Sequence, residues 1–162
     1  MPATDFIGKP IPPQTVVVER GPVSNFARAV LDHSPVYADP RAAAEAGFAA
    51  IPAPPTYDFA MHHWGAFPEV QPEGAGAPHP LVEAMGELLA TGGLILHGGQ
   101  EFVYHRPLTV GMTLTAHGTV KDIYTKTSSG GKTMTFIITE TEWRDEQGQP
   151  VVTSTMTVLH RA

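Results

Sequence analysis

The chain has 162 residues, no cysteine and a net charge of −6 at pH 7, and 42% of its residues are hydrophobic. This composition predicts a single folded domain over residues 1–162 and excludes a disordered chain, a disulfide framework and a cysteine nucleophile. The acidic balance gives no basic face for nucleic acid, and no segment has the ~20 apolar residues of a membrane span or the pattern of a signal peptide, so we expect a soluble, cytoplasmic protein.

The first two thirds of the chain predict short helices and one short strand, separated by proline- and glycine-rich turns. The strand is expected at 15–19 and the helices at 25–31, 39–47, 56–67 and 81–90. For the second helix, Asp39 is a suitable N-cap, Pro40 fits the first helical position and Gly47 fits the C-terminal stop. The first helix should end before Ser34, because Pro35 disfavours a helical conformation at the preceding residue.

The last third predicts long strands. Apolar and polar residues alternate over 100–106, 112–125, 132–143 and 151–160. In the second segment Leu114, Ala116 and Val120 share one face, while Thr115 and Thr119 share the other. Turn residues separate the last three segments, which therefore predict an antiparallel meander.

Long strands with one apolar face need a cover, and the apolar helix at 56–67 is the natural candidate. A helix followed by a sheet that curls around it is the hot-dog arrangement, which usually pairs in a dimer. We therefore expect an α+β hot-dog fold, an antiparallel sheet wrapped around a central apolar helix. Ferredoxin-like and cystatin-like folds are the alternatives.

Residues 26–39, which read FARAVLDHSPVYAD, resemble the segment of the MaoC-like (R)-specific enoyl hydratase/dehydratase family that contains the D-x-N-P-x-H pattern. The Ala-rich helix with Gly47-Phe48, and residues 97–108 and 111–114, are also similar to this family. They most resemble its N-terminal-type branch, the FAS1-like dehydratase domain. The resemblance spans about residues 5–160 and implies a hot-dog fold.

The resemblance also implies a function, the (R)-specific hydration of trans-2-enoyl thioesters or the dehydration of 3-hydroxyacyl thioesters in fatty-acid-type metabolism. The substrate would be carried by CoA or an acyl carrier protein, with no further cofactor. In the family an Asp and a His five residues later activate one water, and a backbone N–H at the start of the hot-dog helix polarises the thioester carbonyl.

This sequence keeps the Asp as Asp32, but has Ser34 at the Asn position and Tyr37 at the His position. The helix start aligns near Pro54, which has no N–H to donate. An alignment shifted by two or three residues would instead present the N–H of Thr56 or Tyr57. The predicted catalytic residues are Asp32 and Tyr37, and the predicted substrate-binding residues are Ser34, Pro54, Thr56 and Tyr57.

The altered Asp/His pair leaves several functions open. The chain could be an enzyme that uses Asp32 and Tyr37, or a non-catalytic acyl-binding subunit of a heteromeric dehydratase. It would accordingly form a homodimer, or a heterodimer with a motif-complete MaoC-like subunit. A hot-dog acyl-CoA thioesterase, in which an acid activates water against the carbonyl, is a third possibility.

A metal site is the weaker interpretation of the histidines. Asp58 and His62 have helical spacing and share a face, and His79 could be a third ligand. The spacing of these residues is not diagnostic of any known metal motif, so we predict no metal.

Overall fold

An antiparallel sheet of six strands dominates the computed structural model, which describes residues 2–162. The strands are β1 (Pro10–Ile11), β2 (Thr15–Val17), β3 (Leu94–Tyr104), β4 (Thr113–Thr127), β5 (Thr133–Asp145) and β6 (Pro150–Arg161). Their order is β1-β4-β5-β6-β3, and β2 also pairs with β4. The predicted meander is confirmed, and β3 begins six residues before the predicted start.

Within residues 2–162, five short helices all precede β3. They are α1 (Arg20–Ala29), α2 (Pro40–Glu45), α3 (Tyr57–Ala60), α4 (His62–Gly65) and α5 (Pro80–Leu89). Three 3₁₀ turns occur at Ala3–Phe6, Pro35–Tyr37 and Pro68–Val70. Within residues 2–162, no helix has the length and apolar character needed to cross a membrane.

Two of the helix predictions need correction. The helix predicted at 25–31 begins at Arg20, because Pro22 lies in the first turn, where no N–H partner is needed. The helix predicted at 56–67 is two single-turn helices with Met61 between them, although Met61 itself keeps helical angles. There the Trp64 N–H bonds the Met61 carbonyl, in the tighter 3₁₀ pattern.

The apolar face of the sheet is covered in two places, so there are two hydrophobic clusters. Tyr57 and Met61, from α3 and the residue after it, pack with Leu114 and Trp143. The second cluster joins α5 and the N-terminal 3₁₀ turn to the other end of the sheet. Its buried members are Phe6, Leu81, Ala84, Val120, Ile123, Ile137 and Val158. The α+β hot-dog prediction is confirmed, with the cover divided between two helical segments.

Gly65 sets how closely α4 approaches β2. A Cβ atom at this position would overlap the backbone carbonyl of Val17, which cannot move without disturbing β2. We therefore expect Gly65→Ala to lower the free energy of unfolding by about 1–3 kcal/mol, measured by urea denaturation.

The matched control for this substitution is Gly86→Ala in α5, where a Cβ atom would have no neighbour within 4 Å. Because alanine is the better helix former, this control should be neutral or stabilising by up to about 1 kcal/mol. Equal effects of the two substitutions would contradict the close contact between α4 and β2.

Candidate functional site

The chain enters α3 through a strained residue. Thr56 has φ 71° and ψ −1°, a left-handed conformation that β-branched residues rarely adopt. Its N–H donates a hydrogen bond to the Tyr104 hydroxyl at 2.7 Å, and that hydroxyl donates to Asp58 Oδ1 at 3.3 Å. The end of β3 is therefore tied to the start of α3, and strain of this kind is concentrated at functional sites.

The backbone donors at this helix start already have acceptors within the chain. Pro54 and Pro55 have no N–H, and the Thr56 N–H bonds Tyr104. The Tyr57 N–H bonds the Pro54 carbonyl at 3.2 Å. The N–H groups of Thr56 and Tyr57 are therefore not free to polarise a thioester carbonyl.

Asp58 is a buried carboxylic acid, with 2% of its surface exposed. Burial raises the pKa of its carboxyl from 3.8 to about 6, and the hydrogen bonds from its own N–H and from Tyr104 oppose part of that rise. Burial, with the charge of Asp58 adding to it, raises the pKa of Tyr104 to about 12. The hydroxyl therefore keeps its proton at neutral pH and remains the donor to Asp58.

The C-terminus of α1 positions Asp32. Leu31 has φ 62° and its N–H bonds the Arg28 carbonyl, while the Asp32 N–H bonds the Ala27 carbonyl. These two bonds form a Schellman motif, in which the left-handed residue is usually glycine. The motif turns the chain sharply and directs residues 32–37 away from the helix axis.

This turn brings together the two predicted catalytic residues, Asp32 and Tyr37. Burial, followed by the charge of the nearby Asp32, raises the pKa of Tyr37 above 10.0. Ser34 contributes its backbone N–H, which bonds Asp32 Oδ1 at 3.0 Å. The spacing therefore places an Asp–Tyr pair where the resemblance implies an Asp–His pair.

A cavity of about 1030 Å³ lies between α3–α4, the loop before α5 and the sheet. Its apolar lining includes Phe59, Ala66, Leu81, Ala116, Trp143 and Met156. Its polar lining includes Asp58, His62, His63, Gln71, His79 and Gln100. None of the six residues predicted from sequence lines this cavity, whereas Asp58 does. The Asp32–Tyr37 pair and the cavity are thus distinct parts of the candidate site.

Three histidines, His62, His63 and His79, line the cavity. The rings of His62 and His63 lie 3.9 Å apart, and burial followed by the charge of His63 lowers the pKa of His62. Burial also lowers the pKa of His79. Within residues 2–162, no three His, Asp or Glu side chains are grouped so that they could hold a metal ion.

Tyr104→Phe tests the hydrogen-bonded link at the helix start. Removing the hydroxyl leaves the Thr56 N–H and Asp58 Oδ1 without this partner, so we expect a loss of about 1 kcal/mol in unfolding free energy. The pKa of Asp58 should rise further, because one bond that stabilises its charged form is gone. The change is measured by NMR titration of the carboxyl carbon.

Tyr124→Phe is the control for this experiment, since the Tyr124 ring lies on β4 and stacks on Phe136, away from Asp58. It should leave the Asp58 titration unchanged. An Asp58 pKa that is the same in Tyr104→Phe and in the wild type would contradict the link.

The sheet that wraps apolar helical segments, with a cavity between the two layers, defines a hot-dog protein. The sequence model of the "FAS1-like, dehydratase domain region" matches residues 5–154, and the chain belongs to this family. A relative from Streptomyces avermitilis, called UPF0336 protein, is 34% identical over 158 residues, which is 97% of this chain and 93% of the relative.

Solved structures agree with this assignment at the level of the fold. The ChsH1-ChsH2 complex from Mycobacterium tuberculosis has a TM-score of 0.74 at 24% identity, over 97% of this chain and 85% of that one. The HadBC (3R-hydroxyacyl-ACP dehydratase) complex of the same organism has a TM-score of 0.68 at 21% identity, over 97% and 98% of the two chains. The family resemblance predicted from the sequence is confirmed.

Proposed function

We propose that this chain is the acyl-binding subunit of a heteromeric enzyme that hydrates trans-2-enoyl thioesters or dehydrates 3-hydroxyacyl thioesters. A second MaoC-like chain would supply the complete Asp/His pair. The observation that carries this proposal is the Asp32–Tyr37 pair, in which a phenol occupies the position of the expected base.

A phenol with a raised pKa is a poor base at neutral pH. Hydration requires that a water lose its proton as it attacks, and an efficient base has a pKa near the working pH. The pKa of Tyr37 lies above 10.0, so its hydroxyl remains protonated and can only hydrogen-bond a water. Asp32 alone would have to accept the proton.

The helix start supports the same conclusion. The transition state places negative charge on the thioester oxygen, and preorganised N–H donors usually stabilise such charge. Here the Thr56 N–H is bonded to Tyr104 and the Tyr57 N–H to Pro54. The chain thus has Tyr37 where the family resemblance implies a histidine, and the Thr56 and Tyr57 N–H groups are not free donors.

The cavity is suited to an acyl chain. Leu81, Trp143 and Met156 give it apolar walls, and its volume of about 1030 Å³ exceeds what a short acyl group needs. An acyl chain of medium length would bury its methylenes there at about 0.8 kcal/mol each. In the proposed complex the tail lies in this chain and the reacting carbons lie near the partner.

The edge strand β3 is the proposed contact with the partner. Leu94, Leu96 and Val103 on this strand are 45%, 43% and 49% exposed. An edge strand with apolar side chains and unpaired backbone groups is a template for pairing with another chain. The similar structures, ChsH1-ChsH2 and HadBC, are complexes of hot-dog subunits, which supports a second hot-dog chain at this edge.

Catalysis by this chain itself is the second candidate function, and the proximity of Asp32 and Tyr37 favours it. In that case Asp32 would take the proton and the Tyr37 hydroxyl would orient the water. Two such chains in a homodimer would then be active without another subunit.

The test is a hydration assay with crotonyl-CoA. The purified chain is assayed alone, and again after co-expression with a MaoC-like chain of the same organism that contains a complete D-x-N-P-x-H segment. We expect no hydration by the chain alone and hydration by the two-chain complex. Hydration by the chain alone would contradict the proposal, as would release of free CoA without hydration, which would indicate a thioesterase.

A further inference from the structure

Three buried polar atoms without a partner surround the cavity. Within residues 2–162, four buried side-chain polar atoms have no hydrogen-bond partner. Three of them, Asp58 Oδ2, His79 Nδ1 and Gln100 Oε1, belong to residues that line the cavity. The fourth is Arg106 Nε, on a different surface. Because native proteins pair nearly all buried polar groups, the concentration of exceptions at one cavity requires an explanation.

These three residues come from separate parts of the fold. Asp58 lies in α3 and is held by Tyr104, and Gln100 lies in β3 opposite Met156 of β6. His79 is the residue that precedes α5. Polar groups therefore reach the cavity from a helix, a strand and a loop, and no single local motif accounts for them.

The rest of the lining mixes apolar and polar side chains, and none of them pairs with Asp58 Oδ2 or Gln100 Oε1. Leu81, Trp143 and Met156 line the same space. A hydrocarbon chain in this cavity would leave Asp58 Oδ2 and Gln100 Oε1 buried and unpaired, which is unfavourable. A ligand with an oxygen atom at that depth would pair with them. The carboxyl of Asp58, when protonated, donates a hydrogen bond, and the Gln100 oxygen accepts one.

We propose that the acyl group bound in this cavity carries a hydroxyl or oxo group beyond its reacting carbons, held by Asp58 and Gln100. This substrate class rests on the proposed function, because it assumes that the cavity binds the acyl part of a thioester. A site built to hydrogen-bond an oxygen discriminates strongly against the analogue that lacks it.

The experiment is a binding titration of the two-chain complex with CoA thioesters. The probes are decanoyl-CoA and its hydroxy and oxo isomers, substituted at successive carbons from the fifth to the ninth. We expect at least one oxygenated isomer to bind about tenfold more tightly than decanoyl-CoA. In Gln100→Leu and in Asp58→Leu this preference should fall below about twofold.

Matched variants keep the outcome interpretable. Glu101→Leu changes the next residue of β3, which is exposed and does not line the cavity, and should retain the full preference. If Asp58→Leu does not fold, as judged by circular dichroism, Gln100→Leu still decides the outcome.

Two results would overturn the inference. Equal affinity for decanoyl-CoA and every oxygenated isomer, or a preference that survives Gln100→Leu, would exclude this substrate class while leaving acyl binding intact. Failure of all the thioesters to bind would overturn both this inference and the proposed function.

Discussion

Ser154→Trp is expected to lower kcat/KM of the two-chain complex for trans-2-decenoyl-CoA by about 100-fold, and to change it less than about threefold for crotonyl-CoA. Ser154 lies in β6 and lines the cavity, so an indole would occupy the space proposed for the acyl tail. The longer substrate has six more methylenes, each contributing about 0.8 kcal/mol when buried, which sets an upper limit of ~10³-fold.

Thr155→Trp is the control, because Thr155 is the residue after Ser154 in β6 and does not line the cavity. Neighbouring residues of a strand point to opposite faces, so this equally bulky change leaves the cavity open. Both variants are compared with the wild type by steady-state kinetics on the two substrates. Equal losses for the long and the short substrate in Ser154→Trp would contradict an acyl tail in this cavity.

Asp58→Asn is expected to make the protein progressively more stable than the wild type as the pH rises from about 4 to about 7. The pKa of Asp58 is raised to about 6 in the folded state, whereas an unfolded Asp titrates near 3.9, so the folded state holds the proton more tightly. The stability that this proton contributes is complete below about pH 4 and is lost as the pH passes through about 6.

The expected size of the Asp58 effect follows from a shift of about two units. At about 1.36 kcal/mol per unit, the difference in unfolding free energy between Asp58→Asn and the wild type should grow by about 2–3 kcal/mol over this range. Urea denaturation at several pH values measures it. Asp122→Asn, at an exposed carboxylate of β4, is the control and should show no such trend. A difference that does not vary with pH would contradict the raised pKa.

The sequence predicted the strands of this fold well and the cover of the sheet less well. Alternation at Leu114, Ala116 and Val120 depends only on the two-residue period of a strand, and all three are buried. The prediction of one continuous helix over the sheet was wrong in detail, because the helical segment is much shorter than the strands it covers. The 15 residues of β4 extend over about 50 Å, whereas the nine residues from Tyr57 to Gly65 make about 14 Å of helix. A second segment, α5, must therefore cover the rest.

The two halves of the candidate site differ in how well the sequence predicts them. Asp32 and Tyr37 lie five residues apart, and the family resemblance already implied that residues at this spacing meet. Asp58 and Tyr104 are 46 residues apart, and their contact depends on how β3 passes the start of α3. The sequence showed only that Asp58 shares a helix face with His62, and alternation placed Tyr104 on a strand. Nothing in the spacing indicated that their side chains would meet.

Whether the catalytic Asp belongs to this chain or to its partner is tested most directly by a pair of substitutions in the two-chain complex, assayed with crotonyl-CoA. The first is Asp32→Asn in this chain, and the second changes the Asp of the partner's complete D-x-N-P-x-H segment to Asn. If the partner supplies the catalytic pair, Asp32→Asn leaves kcat/KM within about twofold of the wild type, while the change in the partner lowers it by about 10³-fold. Loss of hydration in Asp32→Asn, with hydration retained after the change in the partner, would contradict this assignment and place catalysis in this chain.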